Sequence, residues 1–264
     1  MLVRGLLVGL LAGSVAGGFA FVFGEPRVDS AIALEEAAAA QTRAAPAEAH
    51  EGHDHGEGAE VSRPVQKAGL FLATGLYGLA VGGVFALVFA GLRGRVGSRS
   101  DGRLALASAG TAFVAVILVP FVKYPANPPA VGDPATIGNR TLLYVVMVLV
   151  GLAAVAVAVA TARRASSADP WVRWVSAVGS FLVPVVAAWV LLPPVHEVPA
   201  GFPATLLWEF RLASLGTQLV FWAAFGVLFG WVSDRAARAV QADPARTAGA
   251  TRTGGAAGAA VEPG

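Results

Sequence analysis

The sequence predicts an all-α integral membrane protein: a bundle of about six transmembrane helices arranged as three hairpins, with a candidate parallel internal repeat. Three observations carry that expectation. Apolar residues make up 56% of the 264 residues and charged ones only 14%, where a soluble chain of this size carries about 25% charged residues. Six charge-free apolar runs come close to or exceed the ~20 residues that cross the ~30 Å hydrocarbon core of a bilayer. These runs are apolar throughout rather than alternating, which favours helices over barrel strands.

The runs are Gly5–Gly24, Ala68–Leu92, Leu104–Val122, Thr141–Ala162, Val175–Val195 and Leu212–Ser233. Residues 1–24 read as the first transmembrane helix. A secretory signal is the alternative, because Arg4 precedes the run and small residues follow it. Its apolar core is longer than the usual signal core, and Gly5, Gly9, Gly13 and Gly17 at every fourth position suit a retained helix packed closely on a neighbour. The anchor reading is therefore preferred. Residues 25–67 form an external acidic, His-rich loop, whose Leu34–Ala49 part is rich in Ala and Glu and suits a helix. Residues 68–233 supply five further helices with short loops. Residues 234–264 read as a disordered cytoplasmic tail, being Ala, Gly, Thr and Pro without an apolar period from Gln241 on.

Charge sets the orientation. Twelve Lys and Arg residues, including Arg4, Arg93, Arg95, Arg163, Arg164 and Arg235, flank one side of the runs, against seven on the other. Twelve of the seventeen carboxylates fall on that second side. The positive-inside rule then predicts that both termini are cytoplasmic and that all four histidines are external. Two external loops resemble each other. "VPFVKYPANPP" (Val119–Pro129) aligns with "PPVHEVPAGFP" (Pro193–Pro203), placing Pro120, Pro125, Ala126 and Pro129 over Pro194, Pro199, Ala200 and Pro203. Both point the same way, which would make a parallel repeat of the kind found in transporters.

The chemistry is narrowed by what is missing. No cysteine is present, so thiolate sites and thiol catalysis are excluded. Phosphate-binding, hydrolase, zinc-protease and dinucleotide motifs are also lacking, which disfavours an enzyme. The net charge of +2 and pI near 9.4 come without a basic, aromatic-interleaved face, so no nucleic-acid partner is expected. No ionisable residue interrupts the apolar runs, where each would cost ~2.5–3.5 kcal/mol. A path through the bilayer would have to use Thr111, Tyr144, Ser180, Ser214 or Gln218, each of which is more ordinarily an interhelical hydrogen bonder.

Two groups could hold a metal. "AEAHEGHDHGEGAE" (Ala47–Glu60) places His50, His53 and His55 beside Glu51, Asp54 and Glu57, an N/O ligand set suited to Co²⁺, Ni²⁺, Zn²⁺ or Cu²⁺. A solubilising acidic loop is the plainer alternative. Gly52, Gly56 and Gly58 raise the cost of ordering the stretch, which points to an auxiliary collector rather than a rigid site. The second group lies at the helix ends: Glu25, the adjacent His196 and Glu197, and Glu209, with Lys123 and Arg211 nearby. There the competing reading, preferred on the residues alone, is an ion-pair set in which Glu197 or Glu209 neutralises Arg211 or Lys123.

Three stretches together resemble CbtA, a family of predicted cobalt transporter subunits. They are "LLVGLLAGSVAGGFAFVFGEPRVDSAIALEE", "PFVKYPANPPAVGDPATIGNRTLLY" and "LLPPVHEVPAGFPATLLWEFRLASLGTQLVFWAAFG", of which Lys123–Gly132 is the most specific. The resemblance implies a multi-pass protein of the bacterial inner membrane, tied to cobalt uptake for cobalamin synthesis and working with a small one-helix companion, CbtB. Glu25, Pro26, Lys123, Asn127, Asp133, Arg140, His196, Glu197, Glu209 and Arg211 lie in the matching stretches; His50, His53, Asp54 and His55 do not. The expected function is a membrane component that collects a divalent metal externally and passes it through the helix bundle. Co²⁺ is the expected cargo, with Ni²⁺ or Zn²⁺ as alternatives, and no cofactor is bound permanently. The other reading is a non-transporting membrane scaffold or metal-sensing accessory protein.

Overall fold

The computed structural model describes residues 1–44, 62–95 and 100–241. Among these it contains seven helices and no strand. They are α1 (Leu2–Phe23), α2 (Glu25–Ala44), α3 (Arg63–Leu92), α4 (Asp101–Lys123), α5 (Ile137–Arg164), α6 (Pro170–Leu191) and α7 (Ala204–Gln241). All but α2 are long and apolar enough to cross a membrane, so the six spans expected from the apolar runs are present.

Helix ends depart from the expected ones in a consistent direction. α3 starts at Arg63, ahead of Ala68, with Pro64 in its first turn, where a missing N–H costs nothing. α7 continues through Asp234, Arg235 and Arg238, so residues 234–241, expected in the tail, are helical. Apolar runs mark the part compatible with hydrocarbon, whereas charged side chains end that part without ending the helix. α2 begins at Glu25 rather than within the Ala/Glu stretch. The carboxylate of Glu25 in its first turn complements the helix dipole.

Packing begins with the glycine ladder. Gly5, Gly9 and Gly13 of α1 face Gly82, Gly78 and Thr74 of α3 in antiparallel register. A Cβ on Gly9 would land on the Gly78 carbonyl, and one on Gly78 would land on the Gly9 carbonyl. Backbone thus touches backbone, as small-residue faces allow between membrane helices. α7 lies against both α1 and α4. On α3, the buried Phe85 and Phe89 meet Phe225 and Phe229 of α7 edge to face, with centroids 4.8–5.4 Å apart, a geometry that suits the ring quadrupoles. Asp234 of α7 accepts the Gly102 N–H at 2.7 Å, capping the start of α4.

α4 widens into a π turn at Phe113–Leu118, where the Val119 N–H reaches back to the Val114 carbonyl. Pro120 follows directly and has no N–H to offer the Val116 carbonyl. The Tyr144 hydroxyl of α5 lies 3.5 Å from the Val116 carbonyl oxygen. α6 packs chiefly on α5 and buries no residue, while α7, the helix after it, lies against α1 and α4.

Candidate functional site

The antiparallel packing gathers the ends of α1, α3, α4, α5, α6 and α7 so that Glu25, Arg63, Lys123, Arg140, His196 and Glu209 all belong to one end of the bundle. Two constellations form there.

The first ties α2 to its neighbours. Arg63 pairs with Glu25 at 2.8 Å and also with Asp29, while Lys67 pairs with Asp29 at 2.8 Å. Hydrogen bonds from Lys67 and then Arg63 hold the Asp29 carboxyl below the usual carboxylate range. Arg27 donates to the Phe23 carbonyl and to Glu209 of α7 at 3.3 Å. Each exposed pair contributes little alone, about 0–1 kcal/mol. Together they fix α2 across the ends of α3 and α7.

The second constellation surrounds a partly open cavity of ≈ 1160 Å³ between the ends of α4, α5, α6 and α7 and their proline-rich loops. At its mouth, Glu197 accepts from Arg140 at 3.1 Å, from the Thr136 hydroxyl at 2.7 Å and from the Asp133 N–H at 3.3 Å. His196, next along, is exposed and lines the same mouth. Arg211 donates to Asn127 Oδ1 at 3.0 Å and to the Ala126 carbonyl, pinning the loop after α4. Lys123 donates to the Trp189 carbonyl at 2.8 Å and sits 5.0 Å from the Trp189 ring. The loop itself is sharply turned: Ala130 has φ 64° and Gly132 has φ 117°. At Gly132 a Cβ would strike the Arg140 guanidinium, so only glycine lets Arg140 lie there.

Deeper, Tyr144, Ser214 and Gln218 line the cavity. Gln218 Oε1 accepts from the Tyr77 hydroxyl at 3.3 Å, and both residues also line a smaller space of ≈ 230 Å³ on the α1–α3 side. On α7, just beyond Gln218, the buried Phe221 and Phe225 continue the aromatic core.

The residues expected to carry function are thus distributed unevenly. His196 and Glu197 line the cavity, whereas Glu25 and Glu209 belong to the α2 constellation. Glu197 and Glu209 are ion-paired, but to Arg140 and Arg27 instead of the expected Arg211 or Lys123. Tyr144, Ser214 and Gln218 face the cavity, and Thr111 and Ser180 do not line it. No three His, Asp or Glu side chains among the described residues come together as a metal group. His50, His53, Asp54 and His55 lie outside the described residues. Sequence reasoning passed over Arg140 as more than a flanking residue, and passed over Tyr77. An arginine follows each of the two resembling proline-rich loops, Arg140 after one and Arg211 after the other, which was the available signal for the first.

Comparison with known families settles the kinship. The family model described as "Probable cobalt transporter subunit (CbtA)" matches residues 1–234. The chain belongs to the CbtA family. Every residue lining the cavity of this CbtA chain, from Ile117 to Gln218, falls within the matched part. Searches of curated proteins and of solved structures found no match. Family membership makes the chain a cobalt transporter subunit; its six apolar helices make it a multi-pass membrane protein.

Proposed function

We propose that the chain admits Co²⁺ through the bundle, entering at the cavity between α4, α5, α6 and α7. The observation that carries this reading is the cavity's polar lining, which runs from His196 and Glu197 at the mouth to Tyr144, Ser214 and Gln218 at depth. Such a half-channel at one end of a helix bundle offers hydrogen-bonding groups where hydrocarbon offers none. The cavity end faces outward, because the arginine-rich ends of the helices lie opposite. The acidic loop with His50, His53, Asp54 and His55 raises the local cation concentration by electrostatic focusing. Glu25 and Glu209, in the α2 constellation at the same end of the bundle, add to that field, and His196 with Glu197 receives the metal. Ni²⁺ and Zn²⁺ compete for the same nitrogen and oxygen ligands. The setting is the bacterial inner membrane with both termini cytoplasmic. A one-helix CbtB-type companion completes the system, and the metal serves cobalamin synthesis.

A scaffold or metal-sensing accessory is the second reading. It is favoured by the solid glycine and aromatic packing of α1, α3 and α7 beyond Gln218. Cobalt accumulation in cells expressing the chain, with and without its companion, separates the two. Accumulation that depends on the chain, and that falls when Glu25, His196 and Glu209 are all replaced by Ala, supports transport. Accumulation indifferent to the chain or to that triple replacement leaves the scaffold.

A further inference from the structure

The sign of charge in the cavity is wrong for a bare dication. Its lining holds three cations, Lys123, Arg140 and Arg211, against the single carboxylate of Glu197. That carboxylate is already engaged by Arg140, Thr136 and the Asp133 N–H. Lys123 and Arg211 donate only to neutral acceptors, the Trp189 and Ala126 carbonyls and Asn127 Oδ1, and have no carboxylate partner among the described residues. An ammonium carries three N–H donors and a guanidinium five, so each keeps donors in reserve. Arg140 Nε is buried and has no hydrogen-bond partner.

Size points the same way. A volume of ≈ 1160 Å³ matches or exceeds that of small-molecule sites, roughly 300–1,000 Å³, and far exceeds what one ion needs. A dehydrated divalent cation also requires several oxygen or nitrogen ligands. Among the described residues, no three His, Asp or Glu side chains come together.

We propose that this cavity binds a small oxyanion-bearing molecule, a carboxylate or phosphate, through Lys123, Arg140 and Arg211. This inference rests on the uptake reading above, and under that reading the cobalt concentrated as a cation at the acidic loop is taken up by the oxyanion-bearing molecule seated in the cavity rather than held there as a free ion. The chelator's free oxyanions meet the guanidinium groups, whose planar forks suit carboxylate and phosphate. The exposed imidazole of His196 at the mouth is the nitrogen ligand open to the metal. Excess positive charge that would repel Co²⁺ alone thereby becomes the recognition element.

The test uses the full chain in detergent, with citrate and inorganic phosphate as metal-free probes, so that histidines elsewhere in the chain do not contribute. Citrate is expected to bind saturably and raise the melting temperature. Lys123→Gln and Arg211→Gln should each weaken it about tenfold or more, the loss expected for a charge-assisted hydrogen bond. Arg211 also pins the loop after α4 and Lys123 braces the end of α6 through the Trp189 carbonyl, so the ligand-free melting temperature of each variant is read first and the variant that stays folded decides the matter. Phosphate binding with the same sensitivity supports a general oxyanion site. Absence of binding by both probes, or binding unchanged in Lys123→Gln, overturns the proposal. Cobalt accumulation in cells is read separately. Citrate binding without accumulation keeps the anion site and removes the uptake reading, whereas accumulation without anion binding does the reverse.

Discussion

The Tyr124 hydroxyl donates to the Pro193 carbonyl at 2.8 Å, joining two proline-rich segments 69 residues apart in the chain. These are the two loops whose sequences resemble each other, and here they touch. Together with the Lys123 bond to the Trp189 carbonyl, this contact holds the end of α6 against the end of α4. Removing only the hydroxyl, by Tyr124→Phe, should cost about 1 kcal/mol and loosen the cavity mouth. A lowered melting temperature in detergent, with reduced cobalt accumulation, is the expected pair of results. A variant unchanged in both would show that the loops are held elsewhere.

The seam between α1 and α3 makes a second, independent prediction. Gly9→Ala or Gly78→Ala pushes a methyl onto the facing carbonyl and should destabilise by about 1–3 kcal/mol, the usual cost of overpacking. Gly69→Ala meets nothing within 4 Å and should be neutral or slightly stabilising, because Ala is the better helix former. Thermal or SDS unfolding in micelles ranks the three variants. Equal stability of Gly9→Ala and Gly69→Ala would refute the close seam.

Acid should release α2 first. The Asp29 carboxyl titrates below its ordinary value because Lys67 and Arg63 hydrogen-bond to it. Its contribution is therefore complete above about pH 4, the unfolded carboxylate range, and is lost as pH falls through the lowered folded value. Asp29 is partly exposed, so the effect is local rather than global. A spin or fluorescent label on α2 should gain mobility only on strong acidification, and Asp29→Asn should show that mobility already at neutral pH. A label equally mobile in both proteins throughout would remove the pair's role.

Deleting Ala47–Glu60 tests the collector. Uptake should weaken when cobalt is scarce and persist when it is plentiful, because focusing changes local concentration without forming the path. Equal loss at every concentration would make the stretch part of the path itself.

Sequence and structure agree where one physical signal dominates. Uninterrupted apolarity located all six spans, and the glycine spacing of α1 predicted a close partner, which is α3. His196 and Glu197, adjacent in the sequence, both line the cavity. What stayed hidden depends on three-dimensional neighbours. Arg140 and Arg211 read as ordinary charges at helix starts, yet they converge on one cavity although 71 positions apart. Glu209 finds Arg27 across 182 positions, a pairing no local pattern encodes. The π turn in α4 lies just ahead of Pro120, and the Val116 carbonyl within it is approached by Tyr144 from another helix.

The lack of burial along α6 has a mechanical meaning for the chamber it borders. Trp189 lines the cavity and is also 48% exposed. On that flank the partition between the chamber and the surrounding lipid is one helix thick. The charged lining of the chamber and the hydrocarbon outside are kept apart by a single layer of side chains, braced at its end by Lys123 and Tyr124.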